Sequence, residues 1–125
     1  MLKLMLFAGL GGFVGTCFRY LVGLAAKTMW GVAFPYGTLT VNIVGCLLIG
    51  VFYGMAESRH WFTAPWSAIL ITGFCGGFTT FSSFSDDVWL LLQQKHWPTA
   101  MLYVGLSVIV GLLMVWIGRS IVRCC

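Results

Sequence analysis

Hydrophobic positions dominate the chain and fall into four long windows, with short polar stretches between them. The windows are Leu4–Ala26, Phe34–Ala56, Pro65–Leu92 and Trp97–Gly118. Each holds the roughly 20 predominantly apolar residues that a helix needs to cross the hydrocarbon core of a bilayer. The pattern predicts an all-α integral membrane protein, in which residues 1–125 form a single domain of four transmembrane helices.

The composition agrees with four membrane spans and excludes a water-soluble domain. Of the 125 residues, 60% are hydrophobic and 8% are charged, and the mean hydropathy is +0.98. A soluble domain of this size needs a surface rich in charge. The net charge of +4 therefore concerns lipid headgroups and topology rather than nucleic acid. We expect a multi-pass protein of the cell membrane.

Basic residues are distributed over both sides of the predicted bundle. An even number of spans puts both termini on one side, and the loops alternate between the sides. The side of the termini carries Lys3, Arg59, Arg119 and Arg123, and the other side carries Lys27 and Lys95, with Arg19 near its window's end. This bias is weak for the positive-inside rule, which predicts that the chain inserts in both orientations.

Glycine pairs four positions apart recur in three of the windows. Such pairs let helix backbones approach closely in lipid, where van der Waals packing drives association. The spacing leaves open whether the packing is within one chain or between chains. The pairs are Gly11 and Gly15, Gly50 and Gly54, and Gly73 and Gly77.

Polar side chains also occur at helical spacing inside the windows, where each is costly unless it is paired, hydrated or faces a cavity. Thr38 and Asn42 share one face of the second window, and Tyr103 and Ser107 share one face of the fourth. Taken alone, Asn42 is better explained by an interhelical hydrogen bond than by a pore. Two roles fit Arg19 equally well. Its side chain can extend to the lipid headgroups, or its charge can make a pore entrance electropositive and so concentrate anions there.

The third window carries an unusual polar run, "GFCGGFTTFSSF", at Gly73–Phe84. Gly76 and Gly77 weaken a helix, and Thr79 and Thr80 can compete for its backbone hydrogen bonds. The run predicts a helix broken near the bilayer midplane. Freed backbone groups at that depth need protein, water or an ion as partners, and transport proteins use such breaks to bind ions. A simple packing kink is the alternative.

Two phenylalanines follow the predicted break on one helical face. Phe81 and Phe84 are three positions apart, and lipid contact or core packing would explain such a pair. An aromatic ring, however, has a positive edge that can favour an anion without trapping it. Conduction requires weak binding at several sites.

With these residues in place, the chain resembles the Fluc, or CrcB, family of small fluoride channels over essentially its whole length. The motifs that carry the resemblance are "GGFVGTCFRY" (Gly11–Tyr20), "PYGTLTVNIVG" (Pro35–Gly45) and "GFCGGFTTFSSFS" (Gly73–Ser85). The resemblance implies an antiparallel, dual-topology homodimer of four-helix subunits. It also implies two fluoride pores, a structural sodium ion at the dimer centre, and passive export of fluoride that confers fluoride resistance.

The resemblance assigns roles to individual residues. It implies that the backbone carbonyls of Gly76 and Thr79 hold the sodium ion and that Arg19 lies near the vestibule. The implied pore positions are Asn42, Thr80, Phe81, Ser83, Phe84, Tyr103 and Ser107. Beyond Ser107, helical spacing meets Gly111 and Val115, so the polar track of the fourth helix does not continue as hydroxyls.

Two other classes of protein compete with the channel hypothesis. A small four-helix drug/proton antiporter needs a carboxylate embedded in the bundle, yet the first two windows contain no acid before Glu57. A membrane assembly subunit without transport activity would explain the glycines but not the polar run. No nucleotide-binding motif or nucleophile constellation suggests an enzyme.

Overall fold

The computed structural model describes residues 1–125 and consists of helices joined by short connections. Helix α1 spans Leu2–Trp30 and α2 spans Tyr36–Ser58; the third span, Ala64–Gln93, precedes α6 at Trp97–Cys124. All four are long and apolar enough to cross a membrane. The predicted all-helical architecture with four spans is confirmed.

The third span contains several helical segments. A short helix α3 (Ala64–Ser67) leads into a π-helix (Ala68–Cys75), which is followed by α4 (Gly76–Phe78) and α5 (Phe81–Gln93). The backbone is extended between α4 and α5, with φ −88° and ψ 161° at Thr79 and φ −153° and ψ 123° at Thr80. We refer to these two residues as the threonine junction.

The first and last helices extend beyond the windows predicted from hydropathy. Helix α1 reaches Trp30, and α6 continues to Cys124. Apolar content marks only the part inside the hydrocarbon, whereas helical hydrogen bonding continues into the interface. The added turns include Lys27 and Arg123, whose positive charges are favourable at the C-terminal end of a helix dipole.

The spans pack in two closely spaced pairs, α1 against the third span and α2 against α6. Glycines make both approaches possible. A methyl group on Gly77 would lie 2.5 Å from the carbonyl oxygen of Gly12, and one on Gly118 would lie 2.5 Å from that of Leu47. The three predicted glycine pairs all face neighbouring helices of the same chain, so packing within the chain accounts for their spacing.

The buried interior is small, and one cluster of it joins α5 to α6. Leu91, Ala100 and Tyr103 form a buried cluster, against which Phe84 and Val88 pack. Most large apolar side chains of the long helices remain exposed, as lipid-facing surfaces of a membrane bundle should. The cluster fixes α5 against α6 and thereby positions the residues that follow the junction.

Candidate functional site

Asn42 binds the threonine junction from the second helix. Its Oδ1 atom accepts a hydrogen bond from the Thr80 N–H at 2.8 Å, and its Nδ2 atom donates to the Thr80 carbonyl oxygen at 3.0 Å. The two residues are 38 positions apart, so these bonds join two spans. The side-chain amide of Asn42 therefore satisfies both backbone polar groups of Thr80.

Local hydrogen bonds complete the two ends of the junction. The Thr80 Oγ1 atom accepts from the Ser83 N–H at 3.2 Å, which is the ordinary N-cap interaction at the start of a helix. Upstream, the Thr79 N–H and Oγ1 donate to the Cys75 carbonyl oxygen at 2.9 Å and 2.8 Å. The Thr79 hydroxyl thus donates to backbone, whereas the Thr80 hydroxyl accepts from backbone and lies 3.3 Å from the Ser82 Oγ atom.

Arg19 reaches the junction from the first helix. Its Nε atom donates to the Gly77 carbonyl oxygen at 2.9 Å, across 58 positions of sequence. In a continuous helix the Phe81 N–H would serve that carbonyl, but the extended junction separates the two. Arg19 caps the end of α4, and it also lines the cleft described below.

At and just before the junction, the carbonyl groups of Gly76 and Thr79 are among those that accept no hydrogen bond. In a continuous α-helix, Gly76 would accept from the Thr80 N–H, and Thr79 would accept from the Ser83 N–H. The first of these N–H groups is taken by Asn42 and the second by the Thr80 hydroxyl. Gly76 is exposed, and a methyl group added there would meet nothing within 4 Å. Carbonyl oxygens with free lone pairs suit a hard cation.

Four aromatic rings contact one another in a row, which we call the aromatic file. They belong to Phe81, Phe84, Tyr103 and Phe34. The ring centroids of Phe81 and Phe84 are 5.8 Å apart, and those of Phe84 and Tyr103 are 5.1 Å apart. Phe34 meets the Tyr103 ring edge-on at 5.5 Å. Phe81 is 78% exposed, whereas Tyr103 is buried. The file thus runs from the open surface of the subunit into its core.

Two further polar groups accompany this file. The Tyr103 hydroxyl donates to the Asp87 Oδ2 atom at 3.1 Å. Ser107, one turn beyond Tyr103, has a buried Oγ atom without a hydrogen-bond partner. From the sequence, Asp86 and Asp87 are expected at the interface or in a vestibule, since they lie roughly 11 Å from the middle of the third window. The bond to Tyr103 was not predicted, although Asp87 is three positions from Phe84 and so shares its helical face.

A cleft of about 630 Å³ lies between α1, α2 and α5 and reaches Thr80. Both signs of charge line it, with Arg19 and Lys27 on one side and Asp86 and Asp87 on the other. Of the sequence-predicted residues, the cleft collects three: Arg19, Thr80 and Ser83. The others lie outside its lining, namely Asn42, Gly76, Thr79, Phe81, Phe84, Tyr103 and Ser107.

Four apolar spanning helices around a polar junction define a small integral membrane protein with a candidate ion site. A family model described as "CrcB-like protein, Camphor Resistance (CrcB)" matches residues 6–119. The chain belongs to this family, and the predicted resemblance is confirmed.

Curated relatives match over almost the whole chain. The protein named fluoride-specific ion channel FluC in Flavobacterium psychrophilum is 42% identical over 122 residues, which are 98% of each chain. The FluC protein of Pseudomonas syringae pv. tomato is 45% identical over 123 residues, 98% of this chain and 99% of the relative. The one from Pseudoalteromonas translucida is 42% identical over 113 residues, 90% and 94% of the two chains. Membership of a family of channels also confirms the prediction that the chain is not an enzyme.

Proposed function

We propose that the protein is a fluoride-selective channel that lets fluoride leave the cytoplasm passively and so confers fluoride resistance. The observation that carries the proposal is the 42% to 45% identity, over 98% of this chain, to relatives named as fluoride-specific ion channels. An inside-negative membrane potential would drive the anion outward without any energy-coupling site, at about 2.3 kcal/mol per charge per 100 mV.

The aromatic file is the proposed conduction path. The positive edges of Phe81 and Phe84 would attract a fluoride ion without holding it tightly, which suits conduction through weak successive sites. The Ser107 hydroxyl has no partner, so it can donate a hydrogen bond to the ion beyond Tyr103. In this proposal Thr80 and Ser83 contribute hydroxyls where the cleft meets the path.

The cleft is the proposed vestibule. Arg19 and Lys27 line it, and their charges would raise the local concentration of anions. Asn42 has a second amide N–H that is not used in its bond to Thr80, because an amide nitrogen carries two donors. This remaining donor can face the pore, as the family resemblance implies.

We further propose that the threonine junction is a helix break near the bilayer midplane and that the protein acts as an antiparallel, dual-topology homodimer in the cell's inner membrane. The exposure of Gly76 and of Phe81 in a single subunit supports a partner at this face. The free carbonyls of Gly76 and Thr79, supplied by two copies, would give four oxygens to a structural sodium ion. Bound there, the sodium ion would supply a positive charge that balances the partial negative charges of the four carbonyl oxygens.

The direct test compares fluoride with chloride efflux from proteoliposomes, each measured with an ion-selective electrode. A potassium ionophore lets K⁺ leave with the anion, so that no membrane potential builds up to stop the efflux. We expect rapid fluoride efflux and chloride efflux near that of protein-free liposomes. Equal efflux of the two anions, or no efflux of either, would overturn the proposal. Dependence of transport on an imposed proton gradient would favour an antiporter instead.

The aromatic path has its own test. Phe81→Ile and Phe84→Ile keep an apolar side chain but remove the polarised ring edge, so each should slow fluoride efflux at least about tenfold, or about 1.4 kcal/mol in barrier. Both should still elute as dimers. Phe13→Ile is the matched control, since Phe13 is 71% exposed on α1, away from the file. Parental efflux from both path variants would refute the aromatic assignment.

A further inference from the structure

We propose that Asn42 is a positioning residue that keeps the Gly76 carbonyl available to the central cation. This inference rests on the sodium site proposed above. It assigns Asn42 a task distinct from contact with the permeating anion: its side chain takes up the backbone donor that would otherwise close the cation site.

The first step concerns the Thr80 N–H. Regular helix geometry would direct this group to the Gly76 carbonyl four residues earlier. Within a bilayer every backbone donor must find a partner inside the protein. The Oδ1 atom of Asn42 is that partner at 2.8 Å, and the Gly76 carbonyl consequently stays free.

The second step concerns the orientation of the Thr80 backbone. The Nδ2 atom of Asn42 holds the Thr80 carbonyl at 3.0 Å, so the residue is held at both of its polar groups. Its φ of −153° lies far from the helical value of about −63°. A rotation of Thr80 toward helix would have to break both bonds, and Phe81, the next residue, would move with it.

The other contacts at the junction do not perform this task. Arg19 binds the Gly77 carbonyl, which is a different group. The Thr80 hydroxyl frees the Thr79 carbonyl by capping α5, an interaction made within one segment of the chain. Among the side-chain hydrogen bonds between spans, only those of Asn42 hold the Thr80 N–H, the donor that would otherwise pair with the Gly76 carbonyl.

The test measures how sodium stabilises the purified dimer against thermal unfolding. In Asn42→Ala the Thr80 N–H loses its acceptor and competes for Gly76, so the sodium concentration at half-maximal stabilisation should rise about tenfold, or about 1.4 kcal/mol. Asn42→Asp retains the acceptor for the Thr80 N–H but loses the donor to the Thr80 carbonyl, so its sodium midpoint should lie between those of the parent and Asn42→Ala. Thr40→Ala is the control on the same helix, because the Thr40 hydroxyl makes no interhelical hydrogen bond in the structure.

Amide hydrogen exchange at Thr80 provides a second readout that involves neither sodium nor transport. The Thr80 N–H should be protected in the parent and in Asn42→Asp. In Asn42→Ala at low sodium, the Thr80 N–H should exchange faster if it stays unpaired. If it pairs with the Gly76 carbonyl, its chemical shift should change. If Asn42→Ala does not form a dimer, Asn42→Ser replaces it, since the shorter side chain falls short of Thr80 and should raise the sodium midpoint in the same way.

The outcomes separate this inference from the proposed function. If Asn42→Ala has parental sodium dependence and only lower fluoride flux, Asn42 acts on the anion alone and the inference is wrong. A parent that conducts fluoride but is indifferent to sodium also overturns it, while the channel proposal stands. A parent that does not conduct fluoride, yet shows the tenfold shift with Asn42→Ala, refutes the channel and supports the inference.

Discussion

At the scale of single residues, Tyr103 connects the aromatic file to the charge of the cleft. Its hydroxyl donates to Asp87, and its ring packs on Phe84. Asp87 would repel an anion in the vestibule, and the hydrogen bond from Tyr103 disperses part of that charge. In the proposed channel, the pair would set both the position of the Phe84 ring and the electrostatic potential at the end of the path.

Tyr103→Phe should therefore destabilise the protein and slow fluoride efflux. A hydrogen bond to a charged group contributes about 1.5–3 kcal/mol, and its loss leaves Asp87 without this donor. We expect a lower unfolding temperature and roughly tenfold slower efflux, the latter equivalent to about 1.4 kcal/mol in barrier. Tyr53→Phe is the control, because Tyr53 is 42% exposed and does not line the cleft. Identical behaviour of Tyr103→Phe and the parent would show that the hydroxyl is dispensable.

Replacing the acceptor separates positioning from charge. Asp87→Asn keeps an oxygen that can accept from Tyr103 but removes the negative charge. We expect it to retain the dimer and to conduct fluoride at least as fast as the parent, whereas Asp87→Ala should lose stability as Tyr103→Phe does. If Asp87→Asn is as impaired as Asp87→Ala in both efflux and unfolding temperature, the carboxylate charge itself is required.

At the scale of the helices, the pairing of α2 with α6 depends on glycines that a side chain would push apart. A methyl group on Gly118 would lie 2.5 Å from the Leu47 carbonyl oxygen and 2.8 Å from the Val51 nitrogen. Because these neighbours are backbone atoms, they cannot move aside without shifting the whole helix. Gly105, on the same helix, has nothing within 4 Å of the corresponding position.

These two glycines make a matched comparison. Gly118→Ala should destabilise the fold by about 1–3 kcal/mol, the usual cost of overpacking. Gly105→Ala should be neutral or stabilise by up to about 1 kcal/mol, because alanine is the better helix former. Unfolding of both variants by heat in the same detergent provides the measurement. Equal stability of the two would mean that α2 and α6 pack less closely than the structure shows.

The helices also show which features hydropathy could predict. Four apolar windows were sufficient to find the spans, because length and composition decide whether a segment can cross a bilayer. The glycine and threonine run drew attention to Gly73–Phe84, the segment that contains the threonine junction. The sequence could not predict which residues of other helices bind this segment. Periodicity shows which face of a helix a residue occupies, but not which other helix packs against that face. The bonds of Thr80 to Asn42 and of Gly77 to Arg19 span 38 and 58 positions.

At the scale of the whole molecule, the single subunit leaves two of its proposed functional positions uncovered. Phe81 is 78% exposed, and Gly76 has free space beside it. Neither exposure is what a closed ion path requires, because a conducting ion must be shielded from lipid. A second copy in the opposite orientation would cover both and would bring together the free carbonyls of two junctions.

Opposite orientations predict a particular distribution of the C-terminal thiols. Cys124 and Cys125 are free and exposed at the end of α6, and an antiparallel dimer places one such end on each side of the membrane. A membrane-impermeant maleimide applied to intact cells should therefore label about half of these thiols, with the rest labelled after permeabilisation. The variant with Cys124→Ser and Cys125→Ser identifies background from Cys17, which is also exposed but lies within α1. Complete labelling or none in intact cells would show a single orientation, and the antiparallel dimer would then be wrong even if fluoride is conducted.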